Sequence, residues 1–114
     1  MLKKYRYEKQ LQRKAGLEIK KVYGAHVWYY HPREGRGGRK AVPDIILCFY
    51  GLFVVIELKR DLSVRGPTKL QNYNIKLIKR AGGWAFSADT IENVMYGLDQ
   101  IYKNCNIGET TDEG

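Results

Sequence analysis

The feature that most constrains the fold of this 114-residue chain is a 12-residue apolar run, Ile45 to Ile56, broken once at Tyr50-Gly51. Both halves of the run are rich in β-branched and aromatic residues, which is typical of strands. A membrane-spanning helix needs about 20 apolar residues, so the run predicts a buried β-hairpin. The run follows Asp44 and precedes Glu57, so each end of the hairpin carries one carboxylate.

Hydrophobic periodicity predicts three helices around this hairpin. The first covers residues 3–23, the second runs from a start signal at residues 66–68 to Arg80, and the third is capped by Asp89 or Thr90. Two more strands are predicted over residues 25–30 and 84–87. The element order αβββαβα predicts an α/β or α+β fold, in which helices flank a mixed four-stranded sheet.

The apolar stripe of each predicted helix indicates the face that packs on the sheet. The stripes are Leu11, Ala15, Ile19 and Val22 in the first helix, Leu70, Tyr73, Leu77 and Ala81 in the second, and Ile91, Val94, Leu98 and Ile101 in the third. Cys48 lies within the apolar run, so we expect it in the core. The two cysteines fit neither a disulfide framework nor a zinc motif, which favours a reducing compartment.

The charge of the chain favours a polyanionic partner. Lysine and arginine number 20 against 12 acidic residues, for a formal net charge of +8, and three of those acids lie in the last seven residues. A basic surface of this kind attracts nucleic acid. We expect a single domain over residues 1–104, followed by an acidic tail over residues 105–114 that lacks regular structure.

The register of the hairpin decides whether its two carboxylates meet. If the turn is centred between Tyr50 and Gly51, then Asp44 faces Glu57, and Lys59 projects from the same face as Glu57. A register shifted by one residue would send one carboxylate to the other face. Tyrosine disfavours a positive φ angle, so the expected turn has four residues, Phe49 to Leu52, with the same centre.

Two adjacent carboxylates repel each other, and a hard divalent cation such as Mg²⁺ relieves that repulsion. Such an ion lowers the pKa of a bound water and polarises a phosphate oxygen, and Lys59 could stabilise charge on the phosphorus. In a basic protein this chemistry favours phosphodiester hydrolysis. The alternative interpretation is a surface ion pair between Glu57 and Lys59, with Asp44 as a turn residue.

These residues also carry a family resemblance. Pro43-Asp44 followed by Glu57-Leu58-Lys59 resembles the signature of the PD-(D/E)XK nuclease superfamily. The segment Thr68-Lys69-Leu70-Gln71 resembles the T-x-x-Q element of the VRR-Nuc branch, and Glu8 matches the acidic position of its N-terminal helix. The motifs occur in the family order over residues 8–87. The chain is therefore identified as resembling a small single-domain VRR-Nuc protein.

The resemblance implies a role for each matching residue. Asp44, Glu57 and the main-chain carbonyl of Leu58 would bind Mg²⁺ or Mn²⁺, and Lys59 would be the catalytic lysine. Gln71 would orient the water or the lysine, and Glu8 would help to complete the site. From the residues alone, Glu8 could equally face solvent, and Gln71 could be an ordinary residue of the first helical turn.

The resemblance further implies a DNA endonuclease that acts as a homodimer on four-way junctions or other branched DNA, in the cytoplasm of a bacterium or a phage-infected host. A related alternative is a sequence-specific restriction-type endonuclease, although the chain leaves no room for a separate recognition domain. The alternative from another class is a non-catalytic DNA- or junction-binding module of the same fold. Residues 33–40 are rich in glycine and carry four basic residues, which predicts a loop that contacts phosphates. The predicted DNA contacts are basic residues of this loop and of the second helix: Arg33, Arg36, Arg39, Lys40, Lys69 and Lys76.

Overall fold

The computed structural model describes residues 2–32, 42–59 and 69–107. The elements are helix α1 (Leu2–Tyr23), a 3₁₀ turn (Gly24–His26), strands β1 (Val27–Tyr30), β2 (Ile45–Phe49) and β3 (Leu52–Leu58), helix α2 (Lys69–Arg80), strand β4 (Trp84–Ala88) and helix α3 (Ile91–Asn104). The predicted order αβββαβα is confirmed. The strand predicted over residues 25–30 begins two residues later, because residues 24–26 form the 3₁₀ turn.

The four strands form one mixed sheet in the order β1-β2-β3-β4. The β1–β2 and β2–β3 pairs are antiparallel, and β4 is parallel to β3. A parallel pair needs a crossover connection, which α2 supplies here. In the hairpin, Ile46 pairs with Val55 and Cys48 with Phe53, so the predicted register is confirmed.

The hairpin turn differs from the prediction in its length. Phe49 pairs directly with Leu52, which leaves a two-residue turn with Tyr50 at φ 53° and Gly51 at φ 82°. The Tyr50 ring stacks on His26 at 4.7 Å between centroids and meets the Phe49 and Tyr102 rings edge-on. This aromatic packing holds Tyr50 at a positive φ angle, which a bulky side chain rarely adopts.

One face of the sheet forms the core with α1 and α3. Its strand residues, including Ile45, Leu47, Val54 and Ile56, are almost fully buried. The predicted stripes of both helices are confirmed at their centres: Leu11, Ala15 and Ile19 in α1, and Val94, Leu98 and Ile101 in α3. Val22 is the exception, because it lies 53% exposed at the end of α1. Thr90 is the cap of α3, and its hydroxyl accepts the Asn93 N–H at 3.0 Å.

Among the described elements, α2 alone packs on the second face of the sheet, and it covers that face in part. The predicted stripe of α2 is wrong, because Leu70, Tyr73 and Leu77 are 37–58% exposed. Instead α2 turns the buried Asn74 and the half-buried Ile78 toward the sheet. Cys48 lies on this second face and is exposed, so the expectation of a core cysteine is also wrong.

The chain after α3 continues as a short turn, in which the Ile107 N–H donates to the Tyr102 carbonyl at 3.0 Å. Cys105 and Ile107 pack against the core. The rest of the predicted tail, residues 108–114, lies outside the described residues. Within the described ranges, no helix is long and apolar enough to cross a membrane.

Candidate active site

Asp44 lies at a bend immediately before β2 and is bound to β3 at two points. Its N–H donates to the carbonyl of Ile56 at 3.1 Å. Ile56 is also the strand partner of the next residue, Ile45. The Asp44 carboxylate Oδ2 accepts the Leu58 N–H at 2.7 Å. Ile45–Ile56 is therefore the last regular pair at this end of the hairpin. Beyond it, the side-chain hydrogen bond to Leu58 fixes the Asp44 carboxylate beside the end of β3.

Glu57 is a buried charged residue, with only 5% of its surface exposed. A buried carboxylate is costly unless it is paired and hydrogen-bonded. The Lys59 ammonium lies 3.5 Å from Glu57 Oε2, and the two side chains are 18% and 6% exposed. The pair therefore exists, but it is largely enclosed and is not the exposed surface pair of the alternative interpretation.

Gln71 joins these two charged residues from the first turn of α2. Its amide nitrogen Nε2 donates to Glu57 Oε2, and its carbonyl Oε1 accepts from Lys59 Nζ at 3.0 Å. Each end of the amide thus faces the group of matching polarity. The bridge fixes the position of the lysine ammonium relative to the carboxylate, which an ion pair alone does not do.

Strand β4 fixes the backbone at the same point. The Lys59 N–H donates to the Ala88 carbonyl at 2.9 Å, directly beyond the last β3–β4 ladder pair. Glu57, Lys59 and Gln71 are therefore joined directly by side-chain contacts, and Asp44 is held at the same end of β3 by its bond to the Leu58 N–H. The hairpin register predicts Asp44, Glu57 and Lys59 at one end, the motif resemblance adds Gln71, and the structure places these four residues at the end of β3.

Gln12 belongs to the same region but was not predicted. Its amide Nε2 donates to the Asp44 main-chain carbonyl at 2.6 Å, so α1 also fixes the position of Asp44. The one signal in the sequence was its position four residues after Glu8, on the same side of the helix. A glutamine in a basic helix is too common to be singled out on that signal.

Glu8 is half-buried in α1, one helical turn before Gln12. Among the described residues, however, no group of three or more acidic, histidine or cysteine side chains is arranged to hold a metal ion. The structure therefore does not bring Glu8 into a three-carboxylate cluster with Asp44 and Glu57. Its predicted role stays a prediction.

His31 follows β1 and lies beside the Asp44 backbone. Its Nδ1 is buried and has no hydrogen-bond partner in the described part of the chain. Burial lowers the pKa of the imidazole below its usual value, the Lys9 charge lowers it further, and the Asp44 backbone opposes the shift. A neutral imidazole is therefore favoured beside the site.

The predicted DNA contacts can be placed only in part. Lys69 and Lys76 are exposed on α2. The other predicted contacts, Arg33, Arg36, Arg39 and Lys40, lie outside the described residues, as does Thr68 of the T-x-x-Q element.

A solved structure titled "VRR_NUC domain" superimposes on this chain with a TM-score of 0.64. The match covers 84% of this chain and 98% of the other, at 19% sequence identity. The fold is that of a VRR_NUC domain. Comparison with protein-family models gives no match, and comparison with curated protein sequences gives none either. The fold expected from the sequence motifs is thus confirmed by its similarity to the VRR_NUC domain, although few residues are identical.

The donor atoms at this end of the hairpin suit a hard divalent cation. The side chains next to the end of the hairpin offer carboxylate oxygens from Asp44 and Glu57, and no thiolate or imidazole is among the predicted ligands. Mg²⁺ and Mn²⁺ prefer oxygen ligands, and Mg²⁺ commonly uses only one or two carboxylates while it retains several waters. The residues present therefore fit such an ion.

Proposed function

We propose that this protein is a VRR-Nuc family nuclease that hydrolyses DNA phosphodiester bonds with the help of Mg²⁺ or Mn²⁺. The observation that supports it is the placement of four polar side chains at the open end of the hairpin. Glu57, Lys59 and Gln71 are joined by hydrogen bonds and an ion pair, and the Asp44 carboxylate accepts the N–H of the adjacent Leu58. Apolar residues often stabilise a buried position at least as well as an ion pair does, so the stability of the fold does not by itself account for a buried carboxylate, a paired lysine and a bridging amide.

In this proposal Asp44, Glu57 and the Leu58 main-chain carbonyl hold the metal ion. Asp44 is suited to this role because the Leu58 N–H and the Gln12 amide fix its position from both sides. When bound, the ion supplies a water of lowered pKa and polarises the phosphate. Fixed ligands matter because a displacement of about 1 Å at a catalytic group can cost on the order of 100-fold in rate.

Lys59 has the role of stabilising negative charge at the reacting phosphate. Its ammonium carries three donors, of which one is directed to Gln71 Oε1 at 3.0 Å. A second can serve Glu57, which leaves one for a phosphate oxygen. Gln71 and Glu57 thus hold the ammonium in place before substrate binds, and preorganised charge of this kind stabilises a transition state efficiently.

The exposed second face of the sheet supports the proposed homodimer. Three large side chains on this face, Trp28, Tyr30 and Phe53, are 49–64% exposed. Phe53 also lines an apolar cavity of about 530 Å³ between the sheet and α2. Extended apolar surface of this kind marks an interaction site. A second copy of the chain is the proposed occupant, because a two-fold axis would place the same face on both sides.

Sedimentation equilibrium tests the dimer. We expect the wild-type protein to sediment as a dimer and Trp28→Ser with Phe53→Ser as a monomer. The matched control is Tyr96→Ser, which changes a side chain that is 65% exposed on α3, on the other side of the sheet. A monomeric wild-type protein, or a double variant that remains dimeric, would contradict the proposed interface.

Cleavage assays test the proposed function and its substrate. Labelled four-way junction, flap, duplex and single-stranded DNA are incubated with Mg²⁺, with Mn²⁺ or with EDTA. We expect metal-dependent cleavage with preference for branched DNA, and loss of cleavage in Asp44→Asn and Lys59→Met. Cleavage of all four substrates at equal rates would retain the nuclease and reject the branched-DNA preference.

Tight DNA binding with no cleavage under either metal would reject the nuclease and favour the non-catalytic DNA-binding module. The far-UV circular dichroism of each variant is recorded alongside, so that loss of activity is separated from loss of fold.

A further inference from the structure

A second cavity, of about 390 Å³, lies against α1 beside the candidate active site. It is separate from the apolar cavity under α2. The described residues that line it are Lys9, Gln10, Gln12, Arg13, His31 and Pro32. Two of these residues are cations, none is a carboxylate, and the amides and the imidazole can all donate hydrogen bonds. This is the composition of an anion site.

The cavity is built on close packing between α1 and the end of β1. A Cβ atom on Gly16 would lie 2.7 Å from the Tyr29 ring and 3.1 Å from His31 Nε2. Glycine at this position lets the helix approach the strand, and His31 is thereby fixed against α1. Lys9 and Arg13 are one helical turn apart, so their side chains lie on the same side of α1.

Two residues connect the cavity with the candidate active site. Gln12 lines the cavity and donates to the Asp44 carbonyl at 2.6 Å. His31 lines it and lies beside the Asp44 backbone, with its Nδ1 buried and without a hydrogen-bond partner among the described residues. An anion in the cavity would therefore lie next to the substrate at Asp44.

We propose that this cavity binds a phosphodiester group of the DNA strand, at a linkage close to the one that is cleaved. Lys9 and Arg13 neutralise its charge, and His31 and the glutamine amides orient its oxygens. The statement that the bound linkage lies close to the cleaved one rests on the proposed nuclease function. Binding of a phosphodiester in the cavity does not require cleavage. Phosphate contacts of this type set the register of a protein on DNA, so the cavity would determine which linkage reaches Asp44.

The test is a binding experiment on Lys9→Gln with Arg13→Gln, performed in EDTA so that no cleavage occurs. The matched control is Lys21→Gln with Arg80→Gln, which removes one exposed lysine and one exposed arginine elsewhere. The logarithm of the DNA-binding constant falls linearly with the logarithm of the salt concentration, and each phosphate that the protein no longer neutralises makes this fall less steep by about 1. We expect the salt dependence of the cavity variant to be less steep than that of the control by about this amount.

The position of the bound phosphate is tested with DNA in which one phosphate at a time is replaced by a neutral methylphosphonate. We expect the wild-type protein to lose affinity, by several-fold, at one linkage within a few nucleotides of the cut. The cavity variant should be insensitive at that linkage and unchanged elsewhere. Lys9→Arg with Arg13→Lys keeps both charges and should restore the wild-type profile.

The proposal is overturned if the cavity variant keeps the wild-type profile at every linkage, or if it loses no more affinity than the control. A flat profile combined with a requirement for a 5′-terminal phosphate would also overturn it, because the cavity would then bind a terminal group. Absence of cleavage with every substrate and metal, with the localised binding effect intact, would reject the nuclease and support the phosphate site.

Discussion

The carboxylate of Asp44 accepts a hydrogen bond of 2.7 Å from the backbone N–H of Leu58, fourteen residues further along the chain. This bond joins the residue before β2 to the last residue of β3. The proposed ligand Asp44 is thereby fixed next to Glu57 although the strand ladder has already ended. The geometry of the candidate site depends on this side-chain bond.

Asp44→Asn separates the charge of this residue from its structural role. The amide oxygen of asparagine can still accept the Leu58 N–H, so we expect the free energy of unfolding to change by less than about 1 kcal/mol. Metal-dependent cleavage should fall by at least about 100-fold, since a neutral amide is a poor ligand for Mg²⁺. Urea denaturation and cleavage rates measure the two effects. Asp99→Asn, at a half-buried carboxylate on α3 that pairs with Lys103 at 3.1 Å, is the control for loss of a carboxylate charge away from the site. Equal activity in both variants would contradict the role of Asp44.

Gln71→Ala removes the amide that bridges Glu57 and Lys59. The buried Glu57 carboxylate loses a donor, so we expect a loss of about 1–3 kcal/mol in the free energy of unfolding. The lysine also loses its acceptor, and cleavage should fall by about 10- to 100-fold, as for other residues that orient catalytic groups. Gln100→Ala on α3 is the matched control. If both variants cleave DNA at the wild-type rate, Gln71 does not position Lys59.

The site residues on the hairpin could be predicted from the sequence because strand register is a local property. When an apolar run has one break, its two halves are expected to pair about that break. This pairing places Asp44 and Glu57 at the same end of the hairpin. Gln71 is predicted only by the motif resemblance, because strand pairing does not determine where a following helix packs. Gln12 was not found, because its contact depends on how closely α1 packs on the sheet.

The packing face of α2 was predicted wrongly for a related reason. The stripe of Leu70, Tyr73 and Leu77 is the most apolar side of the helix, yet all three residues are exposed. The face that meets the sheet carries Gln71, which bonds Glu57 and Lys59, and the buried Asn74. Hydrophobic periodicity predicts the side of a helix that avoids water, and here polar contacts with the site orient the helix instead.

Tyr50→Asn tests whether the aromatic packing compensates for the backbone of the hairpin turn. Asparagine adopts a positive φ more readily, which should gain about 1 kcal/mol. The substitution also removes ring contacts with His26, Phe49 and Tyr102, each of which contributes about 0.5–1.5 kcal/mol. We expect a net loss of stability of about 1–3 kcal/mol in urea denaturation. A variant more stable than the wild type would show that the ring contacts contribute less than the backbone strain.

Tyr23→Phe should change the stability of the protein at alkaline pH. Burial raises the pKa of the Tyr23 phenol above 10.0, and the charge of Asp99 and the phenols of Tyr50 and Tyr102 raise it further. The unfolded chain therefore loses this proton at a lower pH than the folded chain, so the stabilisation is complete below pH 10.0 and is lost as the pH rises through the folded-state value. Phenylalanine has no such proton, so the unfolding free energy of the variant should fall less steeply above pH 10.0. Urea denaturation at a series of pH values measures the two slopes, with Tyr96→Phe as the control for loss of an exposed hydroxyl. Parallel slopes for wild type and Tyr23→Phe would contradict the raised pKa.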